Sequence, residues 1–459
     1  MKLSTESDQY YKLKDSKISA FEIEEPEKPS QYAFKFIKLN PGITQVNFVC
    51  CIIHMMIMIF GLASAGSIQP LILLDKKYYN ISQEESGTIT SLILVIQLVV
   101  KMIVSLPYGH YADKLGRKTV IYYGAINYLI SCLLIPAQTS IFPGFILAKM
   151  LLANGLAALQ TVPLLADYVA DESKGIASGF AGMAFGVSAI FSNILLKILL
   201  YAEVQLGLIY VVIGVITFVI LCVNTFGLKG GFYYLKEKKK NPEQQNQTSF
   251  KENLMEAFTI FKSNGWLIIA LVLQIIGSSD FFIFLNFLTL YVKSLFPNEE
   301  DDTTANILVN NLQTMILIPM FFCNIFYGYF LDKKEKALKL SYFALVGGAC
   351  SCLLVCFSKD PYQWTLTWAA LLLGATIPGL LIITGYLNIK NFPADKRGIM
   401  IGFTSLVGNV GYFIISFGGG FLYDYWRKEA PFLICATLLT LSIVLITRVY
   451  QTKIAGKET

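Results

Sequence analysis

Charge is scarce in this chain: Asp, Glu, Lys and Arg make up 15% of its 459 residues, where a soluble domain carries about 25%. The shortage excludes an ordinary water-soluble globule. Hydrophobic residues at 55% and a mean hydropathy of +0.57 point to a chain embedded in lipid. The net charge of +6 is no nucleic-acid footprint, because the basic residues lie between apolar runs, where they set membrane orientation. Cysteine is missing from the loops. All nine cysteines fall inside apolar runs, which excludes a loop-borne disulfide or zinc framework and leaves them as small packing residues. No nucleophile, base and acid, and no metal-ligand spacing, recur on one face, so the chain does not read as an enzyme and needs no cofactor.

The first 45 residues lack both the apolar core of a secretory signal and the Arg-rich, acid-poor character of a transit peptide. They read as a cytosolic tail, ordered only where a protein partner holds it. Beyond it, twelve runs reach the roughly 20 residues a spanning helix needs at 1.5 Å per residue. They fall at about 46–74, 86–108, 118–136, 141–167, 175–201 and 206–228, then 265–292, 305–331, 338–357, 363–388, 398–422 and 430–449. The one long internal break, 229–264, divides the chain into bundles at 46–228 and 265–449, and 450–459 closes it as a second tail. The expected fold is all-α and membrane-spanning, twelve helices in two pseudo-symmetric six-helix bundles. Loops on the side of the central break hold 18 Lys and Arg, those on the other side 6, so both termini are expected to face the cytosol from a plasma membrane or an endomembrane. Asn80-Ile81-Ser82 then lies on the opposite side as a glycan acceptor or an idle sequon.

The loop after helix 2 reads Gly109-His110-Tyr111-Ala112-Asp113-Lys114-Leu115-Gly116-Arg117-Lys118. Its glycines permit a tight turn and close helix approach, and Asp113 suits charge-assisted hydrogen bonds from a helix end or from Arg117. A weaker copy after helix 8 places Gly328 and Asp332 both 219 residues after Gly109 and Asp113. A second pair matches Asp167 to Gly175 with 393–398 at an offset of 223, so that Arg397 answers Lys174 while Lys390 stands where an acid answering Asp167 belongs. Two pairs at nearly one offset mean an internal repeat.

The first loop resembles the signature GxxxD(R/K)xGR(R/K) of the major facilitator superfamily, at the position where that family carries it. The resemblance covers residues 46–449. It implies a transporter in which this loop latches the halves together in the outward-open state, and in which Asp167 and Lys174 form a cytosolic charge relay, one-sided here because of Lys390. The departures are as informative. Helix 4 reads Lys149-Met150-Leu151-Leu152-Ala153-Asn154-Gly155, without the arginine before its glycine, and helix 5 has no Gly-Pro pair of the drug/proton antiporter type. The PESPR-like and PETKG-like runs of sugar porters and the ExxER pattern of peptide symporters are missing as well.

Ionisable groups inside apolar runs remain, each a functional hypothesis because burial in hydrocarbon costs several kcal/mol. Lys101 and Lys197 are placed to snorkel; His54 is a proton carrier or a packing residue. Lys149 in helix 4 and Asp280 in helix 7 occupy helices that line the central cavity in the resembling family. They form either a gating ion pair that a proton or an anion releases, or two hydrated cavity residues. Gln69, Ser279, Asn286 and Tyr386 are the expected solute contacts. The expected function is secondary transport of a small organic solute, an organic anion before others, with protons as a coupling ion; the alternative is a transport-inactive subunit or receptor of a larger membrane assembly.

Overall fold

Hydrocarbon offers the backbone no hydrogen-bond partners, so each apolar run must satisfy its own N–H and C=O groups as a helix. The computed structural model describes residues 31–75, 77–82, 84–162, 164–229, 250–296, 302–331, 334–393 and 396–454, without the side chains of 113, 250, 251, 253, 278, 280–285, 302, 303, 306 and 334. The expectations for residues 1–30, 230–249 and 455–459, for Asp332, and for the side chains of Asp113 and Asp280 therefore lie outside the described residues.

The first bundle comprises α1 (Gln45–Leu74), α2 (Ser86–Lys114), α3 (Arg117–Leu134), α4 (Ile146–Gln160), α5 (Lys174–Tyr201) and α6 (Leu206–Gly227). The second comprises α7 (Gly265–Ser294), α8 (Asp302–Phe330), α9 (Lys334–Phe357), α10 (Trp364–Asn391), α11 (Arg397–Tyr425) and α12 (Ala430–Lys453). Among the described residues eleven helices are long and apolar enough to cross a membrane, or twelve when the pair Leu254–Ser263 and Gly265–Gly277, bent by 103°, counts as one span. A π-helical turn, Ile141–Phe145, leads into α4, and after a break the short turn Leu164–Tyr168 continues it. Several helices outrun their hydrophobic stretches. α2 continues six residues past the expected 108, through its polar Gly109–Lys114 end, because a helix needs no hydrocarbon to persist into water.

Within 229–264, expected as a plain loop, Phe250–Ser263 is a helix. Ala257 and Phe261, four residues apart and so on one face, are buried against Phe392, Ile399 and Met400. The face carrying this helix and the described chain ends is called the terminal face below, and its opposite the far face.

The tail's described part is held by the chain itself. Tyr32–Ala33 and Ile37–Lys38 form a small antiparallel hairpin, and Leu39 bridges to Val169. The Asn40 N–H donates to the Tyr168 carbonyl at 2.9 Å, and the Ala170 N–H to that of Lys38 at 3.0 Å. Ala33, Ile37 and Leu39 are wholly buried, and Phe34 stacks on Phe180 at 5.8 Å.

Two antiparallel seams join the bundles, α2 along α11 and α5 along α8. Glycine makes both possible. A Cβ on Gly109 would lie 2.4 Å from the Gly398 carbonyl oxygen, and one on Gly328 would lie 2.5 Å from the Cα of Gly179. Backbone this close leaves no room for a side chain.

Candidate functional site

At the terminal face the two halves are tied through Asp167. Its carboxylate accepts from Arg117 Nε at 3.0 Å and pairs with Arg397 Nη1, from the second half, at 3.6 Å. Arg397 also donates to the Ala166 carbonyl at 2.8 Å. Lys174 pairs with Asp171 instead of Asp167, and its ammonium crosses to the Ile389 carbonyl at 3.2 Å. The expected Asp167–Lys174 relay is therefore two separate links. Lys390, at the position that the repeat pairs with Asp167, donates instead to the Tyr386 hydroxyl at 2.8 Å. Gly116 turns the chain into α3 at φ 96°, where a non-glycine residue is strained. Lys114 is exposed beside it and Lys118 half-buried.

At the far face a carboxylate that sequence reasoning passed over does the corresponding work. Asp424, near the end of α11, accepts from the backbone N–H of Thr88 at 2.6 Å, from that of Gly87 at 3.2 Å and from the Thr88 hydroxyl at 2.6 Å. It therefore satisfies free donors in the first turn of α2 and lies at the positive end of that helix's dipole. Gly420 makes room: its Cβ would lie 1.4 Å from Ser91 Oγ.

Between the two closures lies a cavity of about 410 Å³. α1, α2, α4 and α5 line it from one half, and α7, α8, α10 and α11 from the other. Most of its wall is apolar, with Met55, Met58, Phe185 and Met320, while Lys101, Gln160, Gln274, Asn324, Asn388 and Asn409 supply polar groups. A second hollow of about 30 Å³ lies beside it, and Leu62, Lys101 and Tyr412 line both.

The expected solute contacts divide. Gln69, Lys149 and Asn286 line the small hollow. Lys149 is held inside the first bundle: it donates to the Tyr210 hydroxyl at 2.9 Å and to the Ala65 carbonyl at 3.5 Å, and sits 5.4 Å from the Phe145 ring centre. Gln69 accepts from Gln97 at 3.1 Å. Ser279 bonds the Ile275 carbonyl of its own helix and, like Tyr386, lines neither cavity. The cavity's amides went unread because polar residues were weighed only as neighbours of Lys149 and Asp280; five Asn and Gln inside apolar runs, Gln160, Gln274, Asn324, Asn388 and Asn409, were the available signal.

Gly109→Ala is expected to push α2 away from α11 and to cost about 1–3 kcal/mol as an overpacked contact. Gly385→Ala, inside α10 with nothing within 4 Å of its added carbon, is the control, expected to be neutral or to stabilise by up to about 1 kcal/mol because alanine is the better helix former. Thermal unfolding of both variants in detergent checks this.

A family model described as Major Facilitator Superfamily matches residues 49–297 and 301–458. Magnetosome protein MamH of Paramagnetospirillum magneticum is 22% identical over 80% of this chain and 84% of its own. The class H tetracycline resistance protein of Pasteurella multocida is 20% identical over 82% of this chain and 90% of its own. Among solved structures, the proton:xylose symporter XylE superposes with a TM-score of 0.63 at 12% identity, covering 88% of this chain and 95% of that one.

Proposed function

The chain belongs to the Major Facilitator Superfamily, and on that footing we propose that it is a secondary transporter carrying a small organic anion by rocker-switch alternating access. The observation that carries this reading is the 410 Å³ cavity held between closures at both faces, each built from contacts that cross between the halves. Those contacts are hydrogen bonds and ion pairs at helix ends, which break and re-form as two rigid bundles rock about a midplane site. The terminal face is the cytosolic one in this proposal, on the strength of its 18 Lys and Arg against 6. Gly109, Asp113, Lys114, Gly116, Arg117, Lys118, Gly328, Asp332, Asp167, Lys174 and Arg397 make up its gate.

Rocking is read directly by spin labels. Glu203 and Tyr362 are exposed at the far face, Tyr111 and Glu335 at the terminal face, and each pair spans the two halves. Two distance populations are expected at each face, and conditions that lengthen one pair should shorten the other. A single fixed distance at both faces would instead favour a transport-inactive subunit of a larger assembly.

We further propose that a proton is the coupled ion and Asp280 its carrier, since Asp280 is the carboxylate placed deep in the apolar run of α7, and an ionisable residue inside a spanning helix commonly marks a proton or ion path. Asp280→Asn is expected to abolish accumulation driven by a pH gradient in proteoliposomes while preserving exchange at equal concentrations. Accumulation equal to wild type removes Asp280 from the coupling.

A further inference from the structure

The helix Phe250–Ser263 carries three stripes. Ala257 and Phe261 make the buried one, packed on Phe392, Ile399 and Met400. Glu252, Glu256, Thr259 and Ser263 lie exposed along the second, and there Glu256 pairs with Lys396 at the start of α11. Met255, Phe258 and Lys262 form the third, at the i, i+3, i+7 spacing of one helix face. Met255 and Phe258 are 59% and 52% exposed, and Lys262 is exposed beyond them. An apolar stripe ending in a cation suits the boundary between acyl chains and headgroups better than it suits water.

The bend puts the stripe at that boundary. The helix turns by 103° into α7, and because α7 crosses the membrane, the helix before it lies close to the membrane plane. Trp266, in the first turn of α7, meets Tyr450 of α12 edge-on with ring centres 6.2 Å apart, and Trp and Tyr gather where headgroups meet acyl chains. On α12, Leu441, Val444 and Leu445 are each 52% exposed, and Arg448, three and four residues after the last two, continues their face and is exposed. An arginine that ends a lipid-facing stripe extends its guanidinium to the headgroups. Lys453, five residues further on, donates to the Lys262 carbonyl at 2.9 Å and so joins the ends of the two helices. Three cations gather at this corner, and none of the ion pairs among the described residues engages them.

We infer that the corner where the helix Phe250–Ser263 meets α7 and α12 binds an anionic phospholipid, its phosphate held by Lys262, Arg448 and Lys453 and its acyl chains lying along the exposed face of α12. A zwitterionic headgroup brings its own ammonium to the same cations and is held less well. The site stands whether or not the chain transports.

The test uses the one tryptophan of this face. Of the four in the chain, Trp364, Trp368 and Trp426 are exposed toward the far face, so replacing those three by phenylalanine in the full-length protein leaves Trp266 as the reporter. The protein is reconstituted in phosphatidylcholine holding a minor fraction of phosphatidylglycerol, with brominated acyl chains on one lipid or the other. Brominated phosphatidylglycerol is expected to quench Trp266 far beyond its share of the bilayer, an enrichment of about tenfold or more, since each basic residue at a membrane surface contributes roughly fivefold. Lys262→Gln and Arg448→Gln, both at exposed positions, should each lower the enrichment several-fold, and adding Lys453→Gln to the pair should abolish it. If that triple variant does not fold, the two single variants decide. Quenching in proportion to bulk composition, or enrichment unchanged in either single variant, overturns the inference. Inorganic phosphate is expected to displace the brominated lipid no more than sodium chloride of equal ionic strength does; greater displacement would mark the corner as a site for soluble anions and would equally overturn it.

Discussion

Asp167→Ala is expected to shift the resting equilibrium toward a form open at the terminal face by roughly 30- to 150-fold, about 2–3 kcal/mol. The size follows from burial. Arg117 and Arg397 have side chains only 8% and 14% exposed, and Asp167 22%, so this is not a surface pair worth about 0–1 kcal/mol. Removing the shared carboxylate leaves two largely buried guanidiniums facing each other. Opening the face lets water reach both, while the closed form keeps the full penalty. The spin-label pair at Tyr111 and Glu335 reads the shift as growth of the long-distance population. An unchanged distribution would mean that the glycine seam alone holds this face.

Asp424→Ala is expected to act with the opposite sign, opening the far face by about 2 kcal/mol, or roughly 30-fold. Its side chain is 3% exposed, with Lys428 the nearest cation at 3.9 Å, and its three accepted hydrogen bonds all go to the first turn of α2. Loss of the cap strands those donors only while the far face is shut. Asp424→Asn keeps one acceptor and should give part of the effect. Arg397, which pairs with Asp167, and Asp424 lie at opposite ends of the 29-residue α11, on the order of 40 Å apart at 1.5 Å per residue, far enough for their effects to add. The double variant should therefore return the ratio of the two open forms close to that of wild type, while depleting the form shut at both faces. A double variant no nearer wild type than either single one would show that the two closures are not alternatives of one rocking motion.

The spanning helices and the two-bundle plan were legible because hydropathy over twenty residues is a local property that lipid enforces without help from tertiary context. Phe250–Ser263 escaped that reading, since a helix lying at a surface needs only one apolar face, here Ala257 and Phe261. The hairpin at residues 32–38 escaped for another reason: strands of two residues carry no periodicity, and the hairpin is held in place by bonds from Val169 and Ala170, more than a hundred residues away. At the terminal face, the repeat set Asp167, Lys174 and Arg397 in one argument, and the structure places Asp167 with Arg397 but Lys174 with Asp171. Which base meets which acid depends on how the halves are apposed, and the Arg397–Asp167 pairing could not be read from offsets. Lys149 shows a related limit, because depth along a helix was readable while the direction of its side chain, toward Tyr210, was not.

The hairpin also bears on how this molecule can be handled. Two residues past its second strand, the Asn40 side-chain amide donates to the Asp167 carbonyl at 2.9 Å, and Lys38 reaches Glu172 at 3.1 Å. A group joined directly at Tyr32 therefore bears on a segment that bonds Asp167, a member of the gate proposed above. On the transport proposal, a bulky fluorescent or affinity fusion at that point is expected to disturb the Asp167 contacts and alter the kinetics measured. The end of α12, where Lys453 donates to the Lys262 carbonyl, is the alternative place for a handle.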